Sequence, residues 1–307
     1  MQAVERCPCC DAADFERIAS SVYARDRSSG SAHPGRQWAD RMQRDFVFAE
    51  WLPGEERVEL IELLCRGCGV VVYSPRPSER DLARKYELLA EWGAAGTTAG
   101  REPGEERRAE RLASRLKGAG RVLEIGGGDG RLLSALVAAG AACFVVDYAE
   151  GQIEGVQRLG DTVDDLSPDA EFDAVVLSHV LEHVAAPGAL VRRAAALAPV
   201  LYAEVPVEIW RGTPVAVDPV VHVNHFTCRS LEALLRANGW RVASSGGGFS
   251  TYRGAPLEVA WAVGSRGEEA DPGDPAQDAR RRLRPGLGRR IVRRARWAQF
   301  VRRASRS

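Results

Sequence analysis

The chain has 307 residues, 42 basic and 42 acidic, with 45% hydrophobic and 27% charged composition. That balance fits a soluble globular protein large enough for two domains and excludes a disordered chain, a collagen-like repeat or a small disulfide scaffold. Apolar stretches such as 172–181 are too short to span a bilayer, and the first residues lack the apolar run of a signal peptide, so a cytoplasmic location is expected. The zero net charge hides an asymmetry. Arg280 to Ser307 holds twelve Arg and no acid, which leaves an acidic body and a basic tail.

In chain order, residues 1–75 hold two Cys pairs and alternating apolar runs, Phe46-Val-Phe48 and Val70-Val-Val-Tyr73, with a turn signal at Pro53-Gly54. They read as a small β-rich module. Residues 76–118 form a helical segment and linker. The spacing of Leu82, Tyr86 and Leu89 predicts a helix over 78–92, residues 93–104 are a Gly/Ala/Thr-rich connection, and 105–116 is a charged amphipathic helix.

Residues 119–264 alternate strand and helix patterns. Strands are predicted at 121–125, 143–146, 174–177 and 200–205, with helices at 132–139, 152–158, 187–198 and 230–238. Such alternation predicts an α/β fold, a parallel sheet with helices on both faces. Residues 241–245 and 257–263 read as a closing antiparallel pair around a Gly-rich turn, and 265–307 as a Pro/Gly-interrupted, basic C-terminal tail.

Val122-Leu-Glu-Ile-Gly-Gly-Gly-Asp-Gly130 sets a strand and glycines 126, 128 and 130 directly before a helix. Such a turn lets backbone approach a ligand closely and aims helix N-terminal amides at it. A nicotinamide dinucleotide fingerprint would place its third Gly at 131, where this chain has Arg131. Asp147 ends the next strand, where a carboxylate can accept both ribose hydroxyls. With these residues the sequence resembles the class I S-adenosylmethionine-dependent methyltransferases over about 105–264. The resemblance implies a Rossmann-like sheet, Gly126, Gly128 and Gly130 around the methionine part of the cofactor, Asp147 on its ribose, and Glu124 shaping the same pocket. It also implies that Asp161 reads the adenine amino group.

Four of the five His fall in two windows, Ser178-His179-Val-Leu-Glu-His183 and His222-Val-Asn-His225-Phe-Thr227. The first has the His-x-x-Glu-His spacing of an inverted zinc-protease motif, but that enzyme class needs it inside a helix. Here it follows a buried strand, so it lies at the strand's carboxyl end, where open α/β sheets bind ligands. The methyltransferase resemblance implies that Ser178 and His179 flank the cofactor and that His183 faces substrate. The second window is similar to the Glu-His-x-x-x-Phe-Ser/Thr stretch of zinc-containing sugar and natural-product methyltransferases. That makes His222 a candidate base, with Val221 in place of the acid, and leaves His225 and His183 as alternative bases. The resemblance also places Tyr86 in a segment that closes over the acceptor.

Cys7-x-x-Cys10 and Cys65-x-x-Cys68 put four thiolates on two tight knuckles, a pattern that fits tetrahedral Zn2+ with no open coordination position. The other reading is four idle thiols in a reducing compartment. The module resembles the zinc-binding domain ahead of methyltransferase domains in sugar C-methyltransferases.

The function expected is methyl transfer from S-adenosylmethionine to a small molecule, a nucleotide sugar or natural-product intermediate, at carbon or oxygen. The chain lacks the Asn/Asp-Pro-Pro-Tyr/Phe run used on base nitrogens, and neither Cys143 nor Cys228 stands in a Pro-Cys nucleophile context. A different class stays open: an RNA methyltransferase or nucleic-acid-binding module whose Arg-rich tail, with Trp297 and Phe300 interleaved, holds a phosphate backbone. Otherwise that tail is a solvated segment that balances the acidic body.

Overall fold

A computed structural model of the protein describes residues 1–26, 41–91, 105–149, 151–167, 169–209, 221–252, 255–267 and 274–283. The connection at 93–104 and the Arg-rich run beyond 283 lie outside the described residues.

Eleven strands are described: β1 Phe15–Ala24, β2 Arg57–Cys65, β3 Val71–Ser74, β4 Arg121–Ile125, β5 Ala142–Val146, β6 Val156–Gly160, β7 Ala174–Ser178, β8 Val200–Pro206, β9 Asn224–His225, β10 Trp240–Tyr252 and β11 Ala255–Arg266. The helices are α1 Glu79–Glu91, α2 Glu105–Arg115, α3 Ser134–Ala138, α4 Pro187–Leu197, α5 Cys228–Ala237 and α6 Pro275–Leu283.

The larger sheet has seven strands in the order β10-β11-β8-β7-β4-β5-β6. Strands β6, β5, β4, β7 and β8 run parallel, and β11 and β10 close the edge antiparallel. Every residue of β7 is buried, as expected of a central parallel strand covered on both faces. The expected Rossmann-like α/β architecture is therefore present. Its strand order reverses at β4, so the carboxyl ends of β4, β5 and β7 open onto one crevice.

Two expectations fail inside this sheet. Residues 152–158 do not form a helix. A turn over 152–155 leads into β6, and Gly155 sits at φ +84°, where an added Cβ would lie 2.4 Å from Val137. The Gly-rich stretch 246–248 is not a turn either, because it lies inside β10, opposite Trp261, Ala260 and Val259. A Cβ at Gly246 would come within 2.9 Å of the Trp261 ring, so this glycine makes room for an indole that also carries Arg115 at 3.8 Å. Without side chains to read, the glycines mimic a turn in the sequence.

The smaller sheet is antiparallel, in the order β1-β2-β3-β9. Between β1 and β2 the chain is helical at 41–51, ending in a π turn at Val47–Trp51, where the Phe46-Val-Phe48 pattern suggested a strand. Val47, Phe48 and Trp51 face inward together, a spacing that only a helical turn satisfies, and Phe48 stacks on Tyr23.

The two sheets are tied together. Strand β9 comes from the second histidine window, yet it pairs with β3, His225 opposite Val71 and Asn224 opposite Val72. Asn238 Nδ2 donates to the Cys9 carbonyl at 2.8 Å, and Gly188 N–H donates to the Pro8 carbonyl at 3.0 Å. The start of the basic tail is an ordered helix, α6, in which Arg280 pairs with Glu16 of β1 and Arg282 with Glu258 of β11. No described helix is long and apolar enough to cross a membrane.

Candidate active site

At the carboxyl end of β4 the glycines adopt the backbone the turn requires, with Gly126, Gly128 and Gly130 at φ +71°, +59° and +78°. Gly128 N–H and Ala149 N–H donate to the two Asp147 carboxylate oxygens at 2.9 and 2.7 Å. The carboxylate is thereby fixed against the turn and still has lone pairs to offer a ligand. Glu124 is 2% exposed, and its Oε2 has no hydrogen-bond partner among the described residues. Burial pushes its carboxyl up to about 8, although the Arg108 charge works the other way. Asp161 lies further out, half-exposed after β6 and paired with Arg158.

Beyond β7 the backbone turns sharply at His179, whose φ of +57° is uncommon for a residue with a Cβ. Its ring nitrogens lie 3.4 Å from Glu182 and 3.5 Å from Glu204. Burial disfavours the charged imidazole, but the two carboxylates outweigh it and raise the pKa. Arg108 of α2 donates to Ser178 Oγ and to Glu204, both at 3.1 Å. Burial would raise the Glu204 carboxyl, yet His179 and Arg108 hold it at about 2. Ser178 and His179 thus belong to a buried charged network directly beside the glycine turn.

The remaining histidines meet across the end of β8. His183 and His222 pack edge to face with ring centroids 4.8 Å apart. His222 Nδ1 lies 2.6 Å from Glu208 Oε2, and His225 Nδ1 lies 3.7 Å from the same oxygen. Burial opposes ionisation of Glu208, but the two imidazoles draw its pKa well below the usual carboxylate range. His183 Nδ1 donates to the Val221 carbonyl at 2.8 Å. Burial, with His222 and Lys85 nearby, pulls the His183 pKa down to about 4 despite Glu182. His225 is almost fully buried in β9, whereas His183 and His222 each keep about a fifth of their side chain open, at 22% and 20%. Tyr86 stacks on Tyr148, the residue after Asp147, at 6.0 Å, with Lys85 over its ring.

The family model described as a methyltransferase domain matches residues 100–245, which span the glycine turn, Asp147 and both histidine windows. Residues 100–245 are a methyltransferase domain, with the fold of the class I S-adenosylmethionine-dependent enzymes. The fold agrees with that of the Burkholderia thailandensis 1,6-didemethyltoxoflavin-N1-methyltransferase, solved with 1,6-didemethyltoxoflavin and S-adenosylhomocysteine. The match has a TM-score of 0.51 and 19% identity, covering 65% of this chain and 96% of that one. Other similar structures are the N-terminal domain of EvdMO1 with S-adenosylhomocysteine and D-fucose (20% identity, TM-score 0.40, 63% of this chain and 99% of that one) and the Synechocystis PCC 6803 magnesium protoporphyrin IX methyltransferase (17%, 0.43, 60% and 99%). No curated protein matches the chain.

Ahead of the methyltransferase domain, the chain brings its two Cys pairs together. The sulfurs of Cys7, Cys10, Cys65 and Cys68 lie within 4.8 Å of one another, with Cys7 to Cys68 and Cys10 to Cys65 at 3.6 Å. A tetrahedron of thiolates around zinc has sulfur edges of about 3.8 Å, given Zn–S bonds of roughly 2.3 Å. The donor set therefore fits the ion. Cys9 is outside the cluster and buried, and burial pushes its thiol well up.

Reading the sequence missed Glu208, Arg108 and Tyr148. Glu208 carries the only available hint, an acid two residues past Pro206 in a loop where ligands bind. Nothing local ties it to a histidine 14 residues later. Arg108 reads as one of several charges on an amphipathic helix, and only the packing of α2 turns it inward.

Proposed function

We propose that this methyltransferase methylates a small-molecule acceptor, a nucleotide sugar or natural-product intermediate, at carbon or oxygen, with His222 as general base. The observation that supports this reading is the His222–Glu208 pair. The family resemblance puts an acid immediately before the histidine, where this chain has Val221, and Glu208 supplies a carboxylate from the neighbouring loop instead. Because an ionised carboxylate can only accept, the Nδ1 proton of His222 is directed at Glu208, and the Nε2 lone pair is left to receive a proton. Glu208 is then a positioning residue that also stabilises the imidazolium formed during transfer.

In this reading the glycine turn at 126–130 takes the methionine part of S-adenosylmethionine, Asp147 the ribose hydroxyls and Asp161 the adenine edge. Glu124, Ser178 and His179 wall the same pocket. The methyl group comes from the sulfonium by in-line displacement, so the protein's task is alignment and removal of the acceptor's proton. His183, held neutral, borders the acceptor, and Tyr86 with Tyr148 roofs the crevice. His225 backs the pair from β9. The four-thiolate cluster binds one structural zinc, which fixes β2 and β3 and, through β9, the seat of the histidines.

The test is calorimetric binding of S-adenosylmethionine, followed by transfer of labelled methyl to a panel of nucleotide sugars and natural-product intermediates, with bulk RNA as a parallel acceptor. Label in a small acceptor, lost in His222→Ala, supports the proposal. Label only in RNA overturns the substrate class.

A further inference from the structure

The described residues hold one more group of metal-type ligands besides the Cys cluster. A carboxylate oxygen of Glu182 and one ring nitrogen each of His183 and His222 lie within 4.8 Å of one another. The His-x-x-Glu-His spacing contributes only its last two members. His179, in its left-handed conformation, lies between Glu182 and Glu204, and the third ligand comes instead from the second histidine window.

Three features distinguish this trio from a chance meeting of polar groups. Glu182 has a side chain 1% exposed, and neither of its oxygens has a hydrogen-bond partner among the described residues. Its nearest ring nitrogen, His179 Nδ1, stands 3.4 Å away without completing a hydrogen bond, so the buried carboxylate keeps lone pairs to offer a cation. His183 gives its Nδ1 proton to the Val221 carbonyl, which leaves its lone pair on Nε2, 3.7 Å from Glu182 Oε1. His222 likewise has its Nδ1 held by a carboxylate, Glu208. Metal-ligating histidines are held this way, one nitrogen fixed on a carbonyl or carboxylate so that the other presents its lone pair in a set direction. Two imidazoles and one carboxylate are three ligands of the kind that suit zinc or a neighbouring late first-row divalent cation.

We propose that Glu182, His183 and His222 form a second transition-metal site in the acceptor pocket, separate from the thiolate cluster, and that its occupation by Zn2+ switches off methyl transfer. The inhibition follows because one lone pair cannot both hold an ion and receive the acceptor's proton. That part rests on His222 as base, whereas the site itself rests on geometry alone.

The experiment starts from full-length protein carrying one equivalent of zinc in the Cys cluster. Titration with Zn2+ followed by calorimetry should show one further equivalent, absent in Glu182→Gln and in His183→Ala. Titration of the wild type with Co2+ should give weak visible bands without the thiolate charge-transfer bands of a sulfur site, a readout that needs no variant to fold. Methyl transfer should fall at least tenfold as the second equivalent binds and recover on adding a mild chelator. A wild type that takes no second equivalent, or a second equivalent that survives both substitutions, overturns the site. A second equivalent that binds at these residues and leaves the rate unchanged overturns the inhibition and, with it, His222 as base. Failure of S-adenosylmethionine binding would undo the proposed function and leave the metal titration as it stands.

Discussion

The glycine turn and the histidine pocket open onto the same ends of one sheet, yet they are assembled in different ways. The turn, Glu124 and Asp147 come from one strand-helix-strand unit, with hydrogen bonds between neighbours in that unit such as Gly128 N–H to Asp147. The pocket is composite. Glu182 and His183 follow β7, Glu208 follows β8, His222 and His225 come from 221–225, and β9 is seated by a strand from the opposite end of the chain. A local unit can bind its ligand wherever that unit folds. A composite pocket exists only while every contributing segment is docked.

The contrast is broken most directly at the Cys cluster. Cys65→Ser should remove the metal equivalent, and because structural zinc contributes folding energy on the order of 10 kcal/mol, it should loosen β2, β3 and β9 together. Methyl transfer is expected to vanish while affinity for S-adenosylmethionine stays within about threefold, as read by metal analysis and calorimetry. If cofactor affinity collapses too, the two halves are not independent.

A smaller effect is expected within the pocket itself. His222→Ala should lower kcat about a hundredfold, the usual scale for a lost general base. Glu208→Gln should cost about tenfold, the lower end for a residue that orients another. It should also move the acidic limb of the rate profile to lower pH, because an imidazole without its carboxylate releases its proton more readily. A profile that does not move would make Glu208 a structural residue only.

The cofactor half responds on a scale of binding energy. Asp147→Ala should weaken S-adenosylmethionine by about 1–3 kcal/mol, the scale of hydrogen bonds to a charged group, with little change in melting temperature. Unchanged affinity would remove Asp147 from the ribose.

The last effect is on stability alone and concerns Glu124. Its carboxyl is raised to about 8, above the ordinary carboxylate value, so the folded state holds a proton that the unfolded chain gives up. Stability from this group is therefore full below about pH 4 and is lost as pH rises toward 8. Glu124→Gln should flatten that loss, by at most about 1.4 kcal/mol per pH unit, so the variant's melting temperature should gain on wild type between pH 5 and 8. Parallel melting curves across that range would show that Glu124 is ionised throughout.

Sequence alone determined the parts whose physics is local. Short continuous apolar runs alternating with helix patterns specify the parallel strands, glycines before a helix specify a turn with positive φ, and paired Cys-x-x-Cys knuckles specify a thiolate set, because neighbours in the chain satisfy each requirement. Tertiary structure decided what depends on distant partners. Gly246 lies in a strand because the Trp261 ring opposite needs the space, and Val47 to Trp51 became helical because Tyr23 and its neighbours offered an apolar wall. Glu208 became the partner of His222 only when the segment after β8, in the larger sheet, met the segment that leads into β9, in the smaller one. A hydrogen bond between residues from separate segments has no periodicity to announce it, since its geometry is set by the packing of the strands that carry them.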